Sequence, residues 1–227
     1  MITIGNGFVS WAEVYVPSGL AAIICSTMPL WVTVINITIM RSEKLNAMVM
    51  AGLFIGLLGI VIIFSEHLAA FANLHYRTGI IMIFVAALGW SAGSIIIKRN
   101  RQGSDPFLNA GLQMFTGGIF CFLFSLAFDD LHHVQWGMPA ILSLAYLIVM
   151  GSAVAFAMYA YVLIKLPITI ASLYSYINPL VAVVLGWIIL GEKLNIKIGI
   201  AIVITVLGIY LVNRAYQRQH AKEQPSH

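Results

Sequence analysis

Charge is what this sequence has least of. Asp, Glu, Lys and Arg make up only 9% of its 227 residues, against 61% hydrophobic residues, and the mean hydropathy is +0.96. So much apolar surface exceeds what one core can hide from water, which excludes a soluble globule. The balance is basic, net +4 with a pI near 9.1, but the positive side chains stand between hydrophobic runs and form no basic face. No nucleic-acid partner is expected. Cysteine is equally scarce: Cys25 and Cys121 both lie inside apolar runs, without a CxxC spacing. They read as packing residues, not as a disulfide framework or a metal site. The opening Met1-Ile2-Thr3-Ile4-Gly5-Asn6 has no basic stretch ahead of an apolar one, so no signal peptide is expected there.

What the chain has is a series of long uncharged runs, at 14–40, 45–65, 78–97, 106–128, 131–164, 166–191 and 198–213. Each is near or above the roughly 17 to 25 residues that cross a hydrocarbon layer as helix. None shows the strict alternation of a membrane barrel strand. The expected fold is therefore all-α, a polytopic transmembrane helical bundle with seven complete spans and a partial one over 1–12. If the chain zigzags through these runs, one face receives Arg41, Lys44, Lys98, Arg99, Arg101, Lys165, Arg214, Arg218 and Lys222. The other receives only Arg77, Lys193 and Lys197. This bias places the polar tail 214–227 in the cytoplasm. Lys98, Arg99 and Arg101 read as snorkelling anchors at that boundary.

An internal repeat carries the functional reading. Pro17 and Pro29 superpose on Pro167 and Pro179, each second Pro being followed by Leu, and Ala21 falls on Ala171. Further on, Glu43-Lys44-Leu45-Asn46 matches Glu192-Lys193-Leu194-Asn195, and Leu58-Gly59-Ile60 matches Leu207-Gly208-Ile209, with one residue lost in between. Order and spacing together identify two copies of one helix pair. The loop assignment puts the two Glu-Lys-Leu-Asn turns on opposite faces, which requires an odd number of spans per unit, and five fit. Inverted units of five helices point to alternating access. The expected organisation is the end of a first unit at 1–65, with spans at about 14–40 and 45–65, an external linker at 66–77, a second unit at 78–213 and the tail. Equal units would place the head of the first one upstream of Met1. Two spans and most of a third are thus expected outside this chain, supplied by a longer parent, unless a homodimer completes the bundle.

The residues themselves look familiar. Gly5-Asn6-Gly7, Trp11-Ala12-Glu13, the stretch 16–22, Met28-Pro29-Leu30, Gly89-Trp90 with Lys98-Arg99, Asn178-Pro179 within 175–183, and Gly191-Glu192 resemble the EamA family of the drug/metabolite transporter superfamily, and within it the YedA-like permeases. The resemblance runs along the whole chain. It implies a ten-helix inner-membrane carrier with both ends in the cytoplasm, many relatives being exporters of amino acids or other small metabolites. The chain is accordingly expected to be a permease of small-molecule solutes in a lipid bilayer, with a non-transporting membrane subunit as the alternative.

Candidate solute contacts follow from polar groups that must face a cavity or one another inside a bilayer. Tyr174 and Asn178 are four apart on one helix face, with Ser175 beside them; Pro179 lacks an N–H and so disturbs the carbonyl four residues earlier, that of Ser175. Pro29 does the same to Cys25, with Ser26, Thr27 and Trp31 nearby. Asn109, Gln113 and Thr116 form a second polar stripe, facing either a pore or a partner helix. Trp90 with Ser91 and Ser94, and Ser152 with Tyr159, are weaker candidates. Catalysis is not expected, because the complete spans contain no acid or His away from their ends. No cofactor and no metal is expected either. The loop cluster Asp129-Asp130-Leu131-His132-His133 offers ligand types without a geometric motif. Glu13, near the outer boundary, is the one candidate for a proton relay.

Overall fold

The computed structural model describes residues 1–40, 46–99, 105–128, 137–191 and 195–223. Both Glu-Lys-Leu turn segments, Arg101 and the Asp129–His133 cluster lie outside the described residues. Every regular element among the described residues is helical. A short helix, α1, combines a wide turn over Thr3–Gly7 with Phe8–Ala12. It is followed by α2 (Ser18–Ile39), α3 (Ala47–Ile63), α4 (Arg77–Arg99), α5 (Pro106–Phe128), α6 (Met138–Lys165), α7 (Ile168–Ile189) and α8 (Ile196–Glu223).

Six of these are long and apolar enough to cross a membrane. The 17-residue α3 is a seventh, bent by 89° into a tight helical segment, Ser65–Ala72. That segment lies across the start of α2, where the His67 ring packs on Gly19. Apolar side chains cover the outside: Phe115, Phe122, Leu142, Tyr146 and Ile188 are all more than 60% exposed. An outward apolar coat is what lipid requires.

Local sequence explains the element ends. Asn46 accepts from Met48 N at 2.9 Å and Asn195 from Ile198 N at 2.9 Å, so each of the two repeated asparagines caps the start of its helix, α3 and α8, through its side chain. Gly191 ends α7 with φ +68°, a conformation that costs other residues a steric penalty. Both proline-bearing helices break: α2 at Ser26–Thr27 and α7 at Leu173, each a few residues before its inner proline.

The last helices of the two repeats, α3 and α8, pack on one another. A Cβ at Gly52 would lie 2.8 Å from the Gly208 carbonyl, and one at Gly59 would lie 2.7 Å from the Ala201 carbonyl and collide with Thr205. A Cβ at Gly208 would lie 2.6 Å from the Gly52 carbonyl and collide with Gly56. Low-numbered positions on one helix meet high-numbered positions on the other, so the pair is antiparallel. Adding the repeat interval of 149 residues converts Gly52, Gly56 and Gly59 into Ala201, Thr205 and Gly208. The contacts of Gly59 thereby become those of Gly208, which is the signature of a twofold relation lying across the helix axes. Small residues let the two backbones touch, and dispersion over that surface holds the pair in a medium without hydrophobic driving force.

Tyr176, fully buried, joins α7 to this hub. Its ring lies over Gly56 and its hydroxyl donates to the Leu53 carbonyl at 2.8 Å.

Candidate functional site: a ring cluster where four helices meet

Four helices converge on an uncharged cluster near the middle of the bundle. From α4 come Trp90 and Ser94, from α6 Phe156 and Tyr159, from α7 Tyr174 and from α2 Met28. Tyr159 is the hub: its ring lies 5.0 Å from Tyr174 edge-on, 6.0 Å from Trp90 and 6.5 Å from Phe156, while Trp90 and Phe156 meet edge-on at 6.4 Å. These are the separations at which ring quadrupoles attract. The hydroxyls are directed as well. Ser94 Oγ donates to the Trp90 carbonyl at 2.8 Å, which commits its proton, so the Tyr159 hydroxyl 2.7 Å away donates to Ser94. Tyr174 Oη points at the Met28 sulfur, 3.7 Å away. The cluster therefore offers flat apolar faces, soft sulfur and a few hydroxyls.

A second set of polar groups lies where α2 and α7 cross. Ser26, Thr33, Thr169, Ser172 and Ser175 are all at least nine-tenths buried. Ser26 Oγ donates to the Ser175 carbonyl at 3.2 Å, the carbonyl that Pro179 deprives of its helical donor. Thr33 and Thr169 share a hydrogen bond at 3.1 Å. Ser172 and Ser175 donate to carbonyls three residues back in the broken turn. Beyond Thr33, a shallow depression opens between α2, α3 and α8, lined by Ile37, Asn46, Val49, Met50 and Tyr216.

The sequence-derived candidates are dispersed over these features. Tyr174 and Trp90 sit in the ring cluster, together with Ser94 and Tyr159. Ser175 and Pro179 belong to the α2/α7 crossing, where Ser26 already takes up the freed carbonyl. Asn178, one turn after Tyr174 in the same helical segment, is exposed. Asn109 and Gln113 are half-buried on α5; Thr116 is exposed and turns its hydroxyl back to the Leu112 carbonyl at 2.7 Å. Thr27 and Trp31 form a local pair, with the indole N–H donating to Thr27 Oγ1 at 3.1 Å and Thr27 donating to the Ile24 carbonyl at 2.6 Å. Phe156 and Met28 were not anticipated as site residues, whereas Ser26 was named beside Pro29. Phe156, one turn before Tyr159, was within reach of a helix-face argument; Met28 depends on how α2 breaks. Glu13 is exposed at the α1–α2 elbow, where partial burial holds its carboxyl above the ordinary carboxylate range.

A bundle with six, or up to seven, membrane-length apolar helices defines an integral, multi-pass membrane protein. The model of the EamA-like transporter family matches residues 77–214, and the chain belongs to that family. It is 29% identical over 221 residues to YedA of Escherichia coli (strain K12), described as an uncharacterized inner membrane transporter, covering 93% of this chain and 69% of that protein. It is 25% identical over 215 residues to the uncharacterized transporter YoaV of Bacillus subtilis (strain 168), covering 94% and 72%. A protein of known crystal structure has the same fold, with a TM-score of 0.80 at 19% identity over 93% of this chain and 72% of that one. The protein is thus a membrane transporter by family, and these relatives are described as transporters.

Proposed function

We propose that the protein moves small metabolites, amino acids or related compounds among them, across the bacterial inner membrane by alternating access, with its C-terminal tail in the cytoplasm. The observation that carries this reading is the placement of the ring cluster. It gathers α2 from the first repeat and α4, α6 and α7 from the second, so a relative motion of the repeats changes its geometry. A solute seated there meets Trp90, Tyr159 and Tyr174 by stacking, and hydroxyls or thioether sulfur by polar contact. The neighbouring Ser175 and Pro179 belong to the same reading as the break that lets α7 flex. Asn178 on α7, Thr27 and Trp31 on α2, and Asn109 and Gln113 on α5, which packs against α6, belong to this reading as further candidate contacts. The organisation into a partial unit at 1–65 and a five-helix unit at 78–213 is part of this proposal.

The test is counterflow in proteoliposomes with a panel of labelled amino acids and neutral heterocycles. Trp90→Ala and Tyr174→Ala are expected to abolish or redirect exchange while the purified protein remains monodisperse. Exchange of every solute at parental rates in both variants would remove the cluster as the site. Folded parent protein that moves none of the panel would favour a non-transporting subunit.

A further inference from the structure

Pro167 opens α7 and, having no N–H, leaves the Leu163 carbonyl four residues earlier without a helical donor. This happens at the end of α6, where the last carbonyls are unpaired in any case and carry the negative end of the helix dipole. The missing donor comes from another helix. Lys98, in the last turn of α4, places Nζ 3.1 Å from the Leu163 carbonyl and also donates to the Leu166 carbonyl. It is half-buried and turned inward, not extended toward the lipid surface as an anchor. An ammonium on two carbonyls makes charge-assisted bonds, stronger than neutral ones and stronger still where water is scarce.

The other end of α4 meets the corresponding elbow of the first repeat. Gly79 packs directly on Val16, just before Pro17, the residue that Pro167 repeats. Nineteen residues of helix, about 28 Å at 1.5 Å per residue, separate Gly79 from Lys98. One rigid helix therefore touches both proline elbows, by close packing at one end and by a charged latch at the other. The two contacts differ in kind: packing at Gly79 persists under small sliding, whereas the Lys98 bonds are either made or broken.

We propose that Lys98 is a positioning residue for transport, a latch that holds the α6–α7 elbow shut on α4 at its own face of the membrane. It rests on the alternating-access reading above, and release of the Leu163 and Leu166 carbonyls is the event that opens that face. Just inside the latch, Ile95 is buried with Leu163, Ile168 and Met28, so opening exposes Ile95 before it exposes the rings.

The experiment reads conformation without a solute. In a Cys25→Ala, Cys121→Ala background, Ile95→Cys is labelled in membrane vesicles with an impermeant maleimide applied to one face at a time. Lys98→Met is expected to speed labelling by at least about tenfold from the Lys98 face alone, since both charge-assisted hydrogen bonds are lost together. Lys98→Arg, which keeps the charge and the donors, is expected to stay within about twofold of the parent. A second reporter, Val212→Cys, sits fully buried in the α3/α8 hub and is expected to remain unlabelled. The latch is overturned if Lys98→Met leaves the Ile95→Cys rate unchanged, if Arg behaves as Met does, or if Val212→Cys opens in parallel. Any of these with solute exchange still dependent on Trp90 removes the latch and leaves the transport reading in place.

Discussion

The hydroxyl of Ser26 on α2 supplies the hydrogen bond that Pro179 denies to the Ser175 carbonyl on α7. The defect in one repeat is thus repaired by the other, and the two broken helices are joined at their breaks. This pairing makes an unusual mutational cycle. Ser26→Ala leaves a buried carbonyl unpaired and is expected to cost about 1–2 kcal/mol of stability. Pro179→Ala restores an N–H to the carbonyl from within α7 and makes the Ser26 bond dispensable. Melting of the four proteins in detergent should therefore show that Ser26→Ala costs little once Pro179 is replaced, a coupling of about 1 kcal/mol. Strict additivity would mean that the two residues do not share that carbonyl.

The α3/α8 hub makes a sharper steric prediction. A methyl group at Gly208 meets backbone atoms of Gly52 and Gly56, which cannot rotate away as a side chain would. Gly208→Ala is expected to lower stability by about 2–3 kcal/mol, at the upper end of overpacking costs. A methyl group added at Gly118 on α5 would have no neighbour within 4 Å, and Gly118→Ala should be neutral or slightly stabilising, since alanine is the better helix former. Thermal unfolding of both in one detergent decides this. Equal effects would mean that helix propensity, and not the hub, sets the cost.

Much of this architecture could be read from residue order. The uncharged runs marked the helices, the paired prolines marked the breaks, and the recurrence of Leu-Gly-Ile at 58–60 and 207–209 marked the two helices that prove to pack together. The site was legible only in part. Helix-face arguments assign neighbours within one helix, which is why Trp90 and Ser94 could be paired. They do not say which faces of different helices meet. Tyr174 and Asn178 lie four apart in the one helical segment that begins after Leu173, as their spacing suggested, but spacing does not say that Tyr174 meets Tyr159 while Asn178 is exposed. Met28 follows the break that Pro29 marks in α2, and residue order does not say which neighbouring helices it meets there. Lys98 read as an anchor because a lysine at a helix end ordinarily reaches for headgroups. Its inward course ends on the unpaired carbonyls at the end of α6, just before Pro167, a residue 69 positions away.

Tyr159→Phe separates ring from hydroxyl. The ring contacts with Trp90, Phe156 and Tyr174 survive, and Ser94 keeps its bond to the Trp90 carbonyl. Only the donation to Ser94 is lost, so the stability cost should be about 1 kcal/mol or less. A solute that relies on stacking should exchange at near-parental rates, whereas one that hydrogen-bonds to this hydroxyl should lose about tenfold in apparent affinity. Counterflow across the solute panel distinguishes the two, and a uniform loss for all solutes would show that the hydroxyl acts through the fold.

Glu13 gives the chain a pH dependence whose sign is fixed. Burial raises its carboxyl above the ordinary value of 4.5, so the folded protein holds the proton more tightly than the unfolded chain does. Between the ordinary and the raised value the folded state binds more protons, and stability falls as pH rises through that window. Above the raised value the cost of ionisation is complete; below the ordinary value it is absent. Glu13→Gln cannot ionise, so its melting temperature should exceed that of the parent at neutral pH and converge on it as the solution is acidified toward pH ~4. Other titrating groups tilt both curves alike, and the difference between them isolates Glu13. Parallel curves across the range would mean that the carboxyl is solvated in the folded state and that the elbow exerts no penalty on it.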